Sequence, residues 1–538
     1  MDQILFNGNI ITMDIDKPKV EAIAINDGLI AETGTIEEIM ALKTNDTQLV
    51  DLMGKTTLPG FNDSHMHLLD YARTKEHIDL HHCNTIQELL ETMDQGIKTK
   101  NPDKNELIIA TNWDDNQLME KRFPTKDDLD SINAENPLIA IRRCVNIAVL
   151  NSSAVAMFSE ALTYANTVKE GNAEVDETGH FTGLLKGNVA ISQVTPLLQK
   201  DQIRATLEKA FADCLACGLT SVQTDDCTAA ELEDVLEVYS EMDLKGELPV
   251  RVNAQLRLPT IESFQSFLEK GLHTSDGSPF FSIGPLKLVA DGTLGARTAA
   301  MEKPYTDAPD TKGILLYSRE EIDAFVETAL DNNMQVAIHT IGDRAMKMVL
   351  DAYEAGLAKH PVKDPRFRII HGQITTEELI QQYEKLKVIA DVQPLFISSD
   401  QAIVENRIGK DRAKWTYQWK TFLEENIPLA ASSDSPVESF NPLHGIYAFV
   451  TRKTMEETPE GGWMPEQKLT VEEAVYAYTM GSAYCTYEEN MKGSITPGKV
   501  ADLVVLSENI FLIPPEKIKD VQVDQTMVNG QFVYNRKH

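Results

Sequence analysis

The middle of the chain alternates short apolar runs with longer stretches of helical period. The apolar runs fall at 219–226, 250–257, 283–291, 334–340, 366–373, 388–394 and 428–434. Amphipathic stretches such as 318–332 separate several of them. A short strand entering His65 brings the number of predicted strands to eight. Eight strands alternating with helices predict an α/β fold, a parallel (β/α)8 barrel of the TIM type. Residues 76–204 break this rhythm, so an inserted lobe is expected between the first and second barrel strands.

The two ends of the chain read differently. Ile4-Leu5-Phe6 stops at Asn7-Gly8, and Ala22-Ile23-Ala24-Ile25 stops at Asp27-Gly28. Both dipeptides are hairpin signals. Runs at 501–506 and 527–534 repeat the pattern near the other end. The reading is one small β-sandwich domain assembled from 1–59 and 491–538, with the barrel built from 60–75 and 205–490. No internal repeat or low-complexity tract interrupts this plan.

The chain has 538 residues, 42% hydrophobic and 25% charged, enough for two or three domains. Lys plus Arg is 50 and Asp plus Glu is 83, so the formal charge is 50 − 83 = −33. So acidic a surface repels phosphate backbones and anionic lipid, and neither nucleic acid nor a membrane is an expected partner. No run approaches the roughly 18 apolar residues of a membrane span. The start, Met1-Asp2-Gln3-Ile4, lacks a basic n-region, so no signal peptide and a cytoplasmic location are expected. The six cysteines, Cys83, Cys144, Cys214, Cys217, Cys227 and Cys485, are too sparse for a disulfide framework. Cys214 and Cys217 form a CxxC at a helix end stopped by Gly218, and without a second CxxC their expected role is packing.

The candidate chemistry lies at the strand ends. His65 and His67 follow Pro59-Gly60-Phe61-Asn62-Asp63-Ser64, and positions i and i+2 of an extended segment face the same side. His339 closes Gln335-Val336-Ala337-Ile338, His371 closes Phe367-Arg368-Ile369-Ile370, and Asp434 closes Ala430-Ala431-Ser432-Ser433. Taken singly, each has a bland reading as a hydrogen-bonded histidine or a helix N-cap. Jointly they put metal-binding side chains at one barrel mouth, where active sites of this fold lie. Imidazoles with a carboxylate suit zinc, manganese, iron or nickel. Lys287 sits inside the predicted fourth strand among apolar residues, where burial favours the neutral amine. Such an amine reacts with carbon dioxide to give a carbamate able to bridge two cations. The alternative is a salt bridge, for example to Asp291 or Asp434.

These residues, with the Leu58-to-His67 motif and the closing Gly493-to-Leu503 segment, resemble the amidohydrolase superfamily of metal-dependent hydrolases. Leu286-to-Thr298, Asn112-Trp113-Asp114, Phe123-Pro124-Thr125, Asn441-Pro442-Leu443 and Tyr478-Thr479 look like amidohydrolase family 3, the branch containing N-substituted formamide deformylase. The resemblance implies that His65, His67 and Asp434 hold one divalent metal ion. His339 and His371 hold a second, and carboxylated Lys287 bridges them. A shared water then gives a hydroxide that attacks the carbonyl carbon and breaks the C–N bond of a small amide of the N-formyl or N-acyl class. Asp434 passes the proton to the leaving nitrogen. Trp113, Asp114 and Arg297 are candidate pocket residues with equally good structural readings. Members of the branch often carry a histidine where this chain has Asn146, five residues before Asn151-Ser152.

Two other classes compete. A mononuclear deaminase of a nucleobase-like ring also uses these ligands, but it usually adds a glutamate near the fifth or sixth strand. Here His339 is followed by Thr340-Ile341-Gly342-Asp343. A non-catalytic scaffold would have lost ligands first, and all six candidates are present. His81 and His82 are expected to face solvent, and His444 to lie on a loop. Homodimers are common among soluble enzymes, and no sequence feature fixes the oligomeric state.

Overall fold

The computed structural model describes residues 1–143, 145–167 and 172–537; Cys144 lies outside them. The chain divides into two compact units, Met1–Leu68 with Leu207–His538, and Leu69–Thr206. The second of these spans the whole stretch expected at 76–204.

The larger unit contains an eight-stranded parallel sheet in sequential order. Its strands are β1 (Phe61–Met66), β2 (Leu219–Thr228), β3 (Arg251–Arg257), β4 (Phe281–Val289), β5 (Val336–Thr340), β6 (Arg368–His371), β7 (Ile389–Val392) and β8 (Leu429–Ala431). Nearly every residue of these strands is buried. A parallel strand covered on both faces requires this, and it explains why the strands read as unbroken apolar runs. The seam between β1 and β8 is closed just beyond β8, where Asp434 N donates to His65 O (2.9 Å) and His67 N donates to Ser435 O (2.8 Å). The helix Arg319–Asp331 begins at a capping box in which Ser318 and Glu321 satisfy each other's backbone N–H. The helix Lys200–Ala216 stops at Gly218, whose φ of 80° favours glycine.

Two bulges shape the mouth. Between Thr224 and Cys227, β2 carries one residue more than its partner β3. Between Ile283 and Leu286, β4 carries one residue more than β3, at Gly284-Pro285. A Cβ on Gly284 would lie 2.7 Å from the Ala254 carbonyl oxygen. Such insertions re-aim the side chains that follow, here Asp225 and Lys287.

Strands from both termini form one eight-stranded sheet that joins Val523–Val528 and Leu503–Leu506 to Thr56–Pro59 and Gln3–Ile11. Side chains alternate between its faces. Leu5, Ile23, Ile25, Leu503, Val505 and Met527 share one core cluster, while Ile4, Ala22 and Ala24 pack with Ile39 on the other face. Asp27-Gly28 and Asn529-Gly530 make hairpin turns with positive φ throughout. Asn7-Gly8 does not turn the chain. The strand Gln3–Ile11 runs through it with a register shift, Asn7 at φ 56°. The irregularity is absorbed because Asn7 Nδ2 donates to Asp51 and the Asn7 carbonyl accepts from Gly54.

The smaller unit has its own six-stranded sheet, ordered Asn172–Val175, Phe181–Lys186, Ile147–Leu150, Leu138–Arg142, Ile108–Trp113 and Ile78–Asp79. The helix Ile86–Lys100 packs Leu89, Met93 and Ile97 against it. Asn151 caps the helix Ser152–Met157. The five described cysteines are free thiols, and Cys214 is buried as packing requires. Among the described residues no helix is long and apolar enough to cross a membrane.

Candidate metal centre

The ends of β1, β4, β5, β6 and β8 bring His65, His67, Lys287, His339, His371 and Asp434 together. His65 Nε2 and His67 Nε2 lie 3.2 and 3.1 Å from Asp434 Oδ1. The His65 and His371 rings are 6.2 Å apart, and the His339 and His371 rings 4.4 Å. His371 stacks on Phe396 at 5.6 Å. His371 and Asp434 have φ of 76° and 56°. Non-glycine residues rarely adopt this conformation, and it clusters at functional sites.

Hydrogen bonds fix which ring nitrogens are bare. Gln255 donates Nε2 to the Ser64 carbonyl (3.0 Å), so its Oε1 faces His65 Nδ1 at 2.8 Å and accepts that proton. Gln393 donates Nε2 to Ser432 Oγ (2.8 Å), so its Oε1 accepts from His371 Nδ1 at 2.7 Å. His339 donates Nε2–H to the Gly292 carbonyl at 3.2 Å. The tautomers that follow leave a lone pair on His65 Nε2, His371 Nε2 and His339 Nδ1. His65 Nε2 is buried without a hydrogen-bond partner among the described residues.

Burial and neighbouring cations keep these rings neutral. Burial holds His371 down at about 4. Burial, with the charge of Lys287 nearby, lowers His339 well below its ordinary value. His65 is lowered by burial and by Lys287. Burial opposes ionisation of Asp434, but the His67 Nε2–H beside it holds it well below the usual carboxylate range. His67 differs: burial lowers it, yet its bond to Asp434 and the charges of Asp225 and Asp434 together raise it.

Asp225, Gln255, Arg257 and Gln393 also belong to the site, and the sequence reading missed them. Lys287 Nζ lies 3.3 Å from Asp225 Oδ2, so its salt-bridge partner is Asp225, not Asp291 or Asp434. Asp291 instead accepts backbone N–H bonds from Ala300, Ile341 and Gly342. Asp225 also accepts from Arg257 Nε (3.0 Å) and Nη2 (2.6 Å). His65, His67 and Asp225 form a group of donor atoms within 4.8 Å of one another, close enough to share a cation. The one signal for Arg257 is a charge closing an apolar run.

Each pocket candidate has packing or ion-pair partners of its own. Trp113 fills the core of the smaller unit, and Asp114 pairs with Arg142 at 2.6 Å. Arg297 pairs with Asp307 at 2.8 Å. His81 and His82 are exposed. His444 lies in the helix Pro442–Thr451, not on a loop, because Asn441 caps that helix three residues earlier.

Residues 48–534 match the model of the amidohydrolase family. The chain belongs to the amidohydrolase family. It is 32% identical over 542 residues to the Bacillus subtilis (strain 168) protein YtcJ, with 100% of both chains covered. It is 25% identical over 555 residues to N-substituted formamide deformylase of Arthrobacter pascens, covering 99% of this chain and 98% of that one. Among solved structures, an uncharacterized metal-dependent hydrolase from Pyrococcus furiosus superposes with a TM-score of 0.75 at 30% identity. That match covers 95% of this chain and 99% of the other. The family accounts for the barrel and for histidines gathered at its mouth.

Proposed function

We propose that this protein is a metal-dependent hydrolase that cleaves the C–N bond of a small amide, an N-formyl or N-acyl amine. The observation that carries the reading is His65 Nε2. Its lone pair faces the ionised Asp434 Oδ1 at 3.2 Å with no proton to share. Two such atoms repel unless a cation is shared between them. The donor set suits zinc first, then manganese, iron or nickel. His65, His67 and Asp434 would hold one ion, His339 and His371 a second, and Lys287, carboxylated, would join them. The 25% likeness to a formamide deformylase along nearly the whole of both chains supports the N-formyl class.

When bound, such ions supply Lewis acidity, polarising a carbonyl and lowering the pKa of water towards neutrality. The chain's own residues do the rest. Asp434 stays ionised at neutral pH and takes a proton from the attacking water. The water oxygen forms the new C–O bond, the C–N bond breaks, and Asp434 returns the proton to the leaving nitrogen. Gln255 and Gln393 keep His65 and His371 from rotating into competition for that proton. The products are a carboxylic acid and an amine.

The test is incubation of purified protein with N-formyl and N-acyl amines, reading acid and amine separately. Equal release of both is expected. Ammonia release from nucleobases, with amides untouched, would point to a deaminase instead.

A further inference from the structure

We propose that Asp225 is a positioning residue of this centre, the carboxylate that takes the Nδ1 proton of His67 when His67 gives Nε2 to a cation. The inference rests on the metal reading above. Five side chains from the ends of five strands form one line of contacts. Lys287 Nζ meets Asp225 Oδ2 at 3.3 Å, and Asp225 Oδ2 meets Arg257 Nη2 at 2.6 Å. Arg257 Nη2 then meets His67 Nδ1 at 3.1 Å, and His67 Nε2 meets Asp434 Oδ1 at 3.1 Å.

A guanidinium only donates. With Arg257 against Nδ1, the proton of the neutral His67 ring is on Nε2, aimed at Asp434. A histidine that binds a cation through Nε2 carries its proton on Nδ1 and needs an acceptor there. Arg257 cannot be that acceptor. Asp225 can, since its Oδ2 is already 3.8 Å from His67 Nδ1. Its Oδ1 is buried and has no hydrogen-bond partner among the described residues. The extra residue in β2 aims the carboxylate here. The ring keeps one proton throughout, which moves from Nε2 to Nδ1 by exchange with water. The contact given up is Arg257 to His67, while the Arg257–Asp225 pair remains.

The experiment is a competition titration of metal-free protein with zinc and a chromogenic chelator. It compares wild type with Asp225→Asn, Asp225→Glu and Arg257→Met, with thermal unfolding of each metal-free form as the fold check. Asp225→Asn is expected to bind zinc roughly 10–100-fold more weakly per folded chain, with metal-free unfolding lowered because Lys287 and Arg257 lose their buried partner. Asp225→Glu keeps the charge but shifts the carboxylate by a methylene, so it recovers only a minor part. Arg257→Met binds at least as tightly as wild type. Wild-type affinity in Asp225→Asn would overturn the assignment. Full recovery in Asp225→Glu would overturn it too, since charge without position would then suffice. If Asp225→Asn fails to fold, Arg257→Met decides, and a loss beyond tenfold in it overturns the proposal. A wild type that takes up no zinc defeats the metal reading and this inference together. A wild type that binds alongside indifferent variants defeats this inference alone.

Discussion

Arg368 and Asp391 lie inside the barrel with no exposed surface, and of that pair only Arg368 Nε lacks a hydrogen-bond partner among the described residues. Arg368 donates to Gln223 Oε1 (2.9 Å), to the Ser64 carbonyl (2.5 Å) and to Asp391. Asp391 Oδ1 accepts from Ser64 Oγ (2.6 Å) and Ser432 Oγ (2.9 Å). At the mouth, the next residues along the same strands leave atoms open: His65 Nε2 and Asp225 Oδ1 have no hydrogen-bond partner among the described residues. Gln223 and Asp225 share β2, Arg368 and His371 share β6, and Asp391 precedes Gln393 at the end of β7. A buried ion pair whose atoms satisfy one another specifies the fold, whereas open donors of one kind turned to one place are kept for a ligand.

The comparison breaks most visibly at Asp434. Asp434→Asn should lower turnover by roughly 10²–10⁴-fold while denaturant unfolding stays near wild type. Activity within tenfold of wild type would remove Asp434 from the reaction. The inner layer should behave in the opposite sense. Asp391→Asn leaves the Arg368 charge unpaired and should cost about 3–5 kcal/mol of stability, with metal content per folded chain retained. Arg368→Met with Asp391→Leu should regain most of that loss, because both charges leave together. A double variant no better than the single would mean that the pair acts through more than its own charges.

Acid separates the layers next. In chelated protein the unfolded imidazole of residue 371 takes a proton below about 6.5, while the folded one does so only near 4. Between these values the unfolded state binds more protons, so stability is lost as pH falls from about 6.5 to about 4. The gap corresponds to on the order of 3 kcal/mol. Unfolding of metal-free protein that is flat from pH 7 to pH 5 would contradict this. The smallest effect sits at Gln393, which touches both layers. Gln393→Leu should weaken zinc binding roughly 10–100-fold in the same chelator competition, and unaltered affinity would count against its hold on His371.

The barrel could be read before the structure because buried parallel strands are written as apolar runs. The runs at 219–226 and 283–291 overlie Leu219–Thr228 and Phe281–Val289. The four histidines and Asp434 could be read from position alone, since each closes such a run. Asp225 could not. It stands beside Asp226 in a strand, and only the extra residue in β2 decides which carboxylate enters the site; Asp226 instead accepts from Tyr239. Gln255 and Gln393 carry no charge to betray them, and their role depends on which amide end a distant carbonyl or hydroxyl holds. Asn7-Gly8 misled for a related reason: the dipeptide signals positive φ, and a bulge uses that as readily as a hairpin. In the smaller unit, Ile78–Asp79 spans only two residues, too few for a period to show.

The central claim is that the open atoms at the mouth hold divalent cations, and the direct measurement is metal content by plasma mass spectrometry on protein purified without chelator. The account predicts about two equivalents per chain, zinc foremost, falling in His65→Ala and retained in Asp391→Asn. Wild-type protein with no bound transition metal and no uptake of added zinc would contradict it.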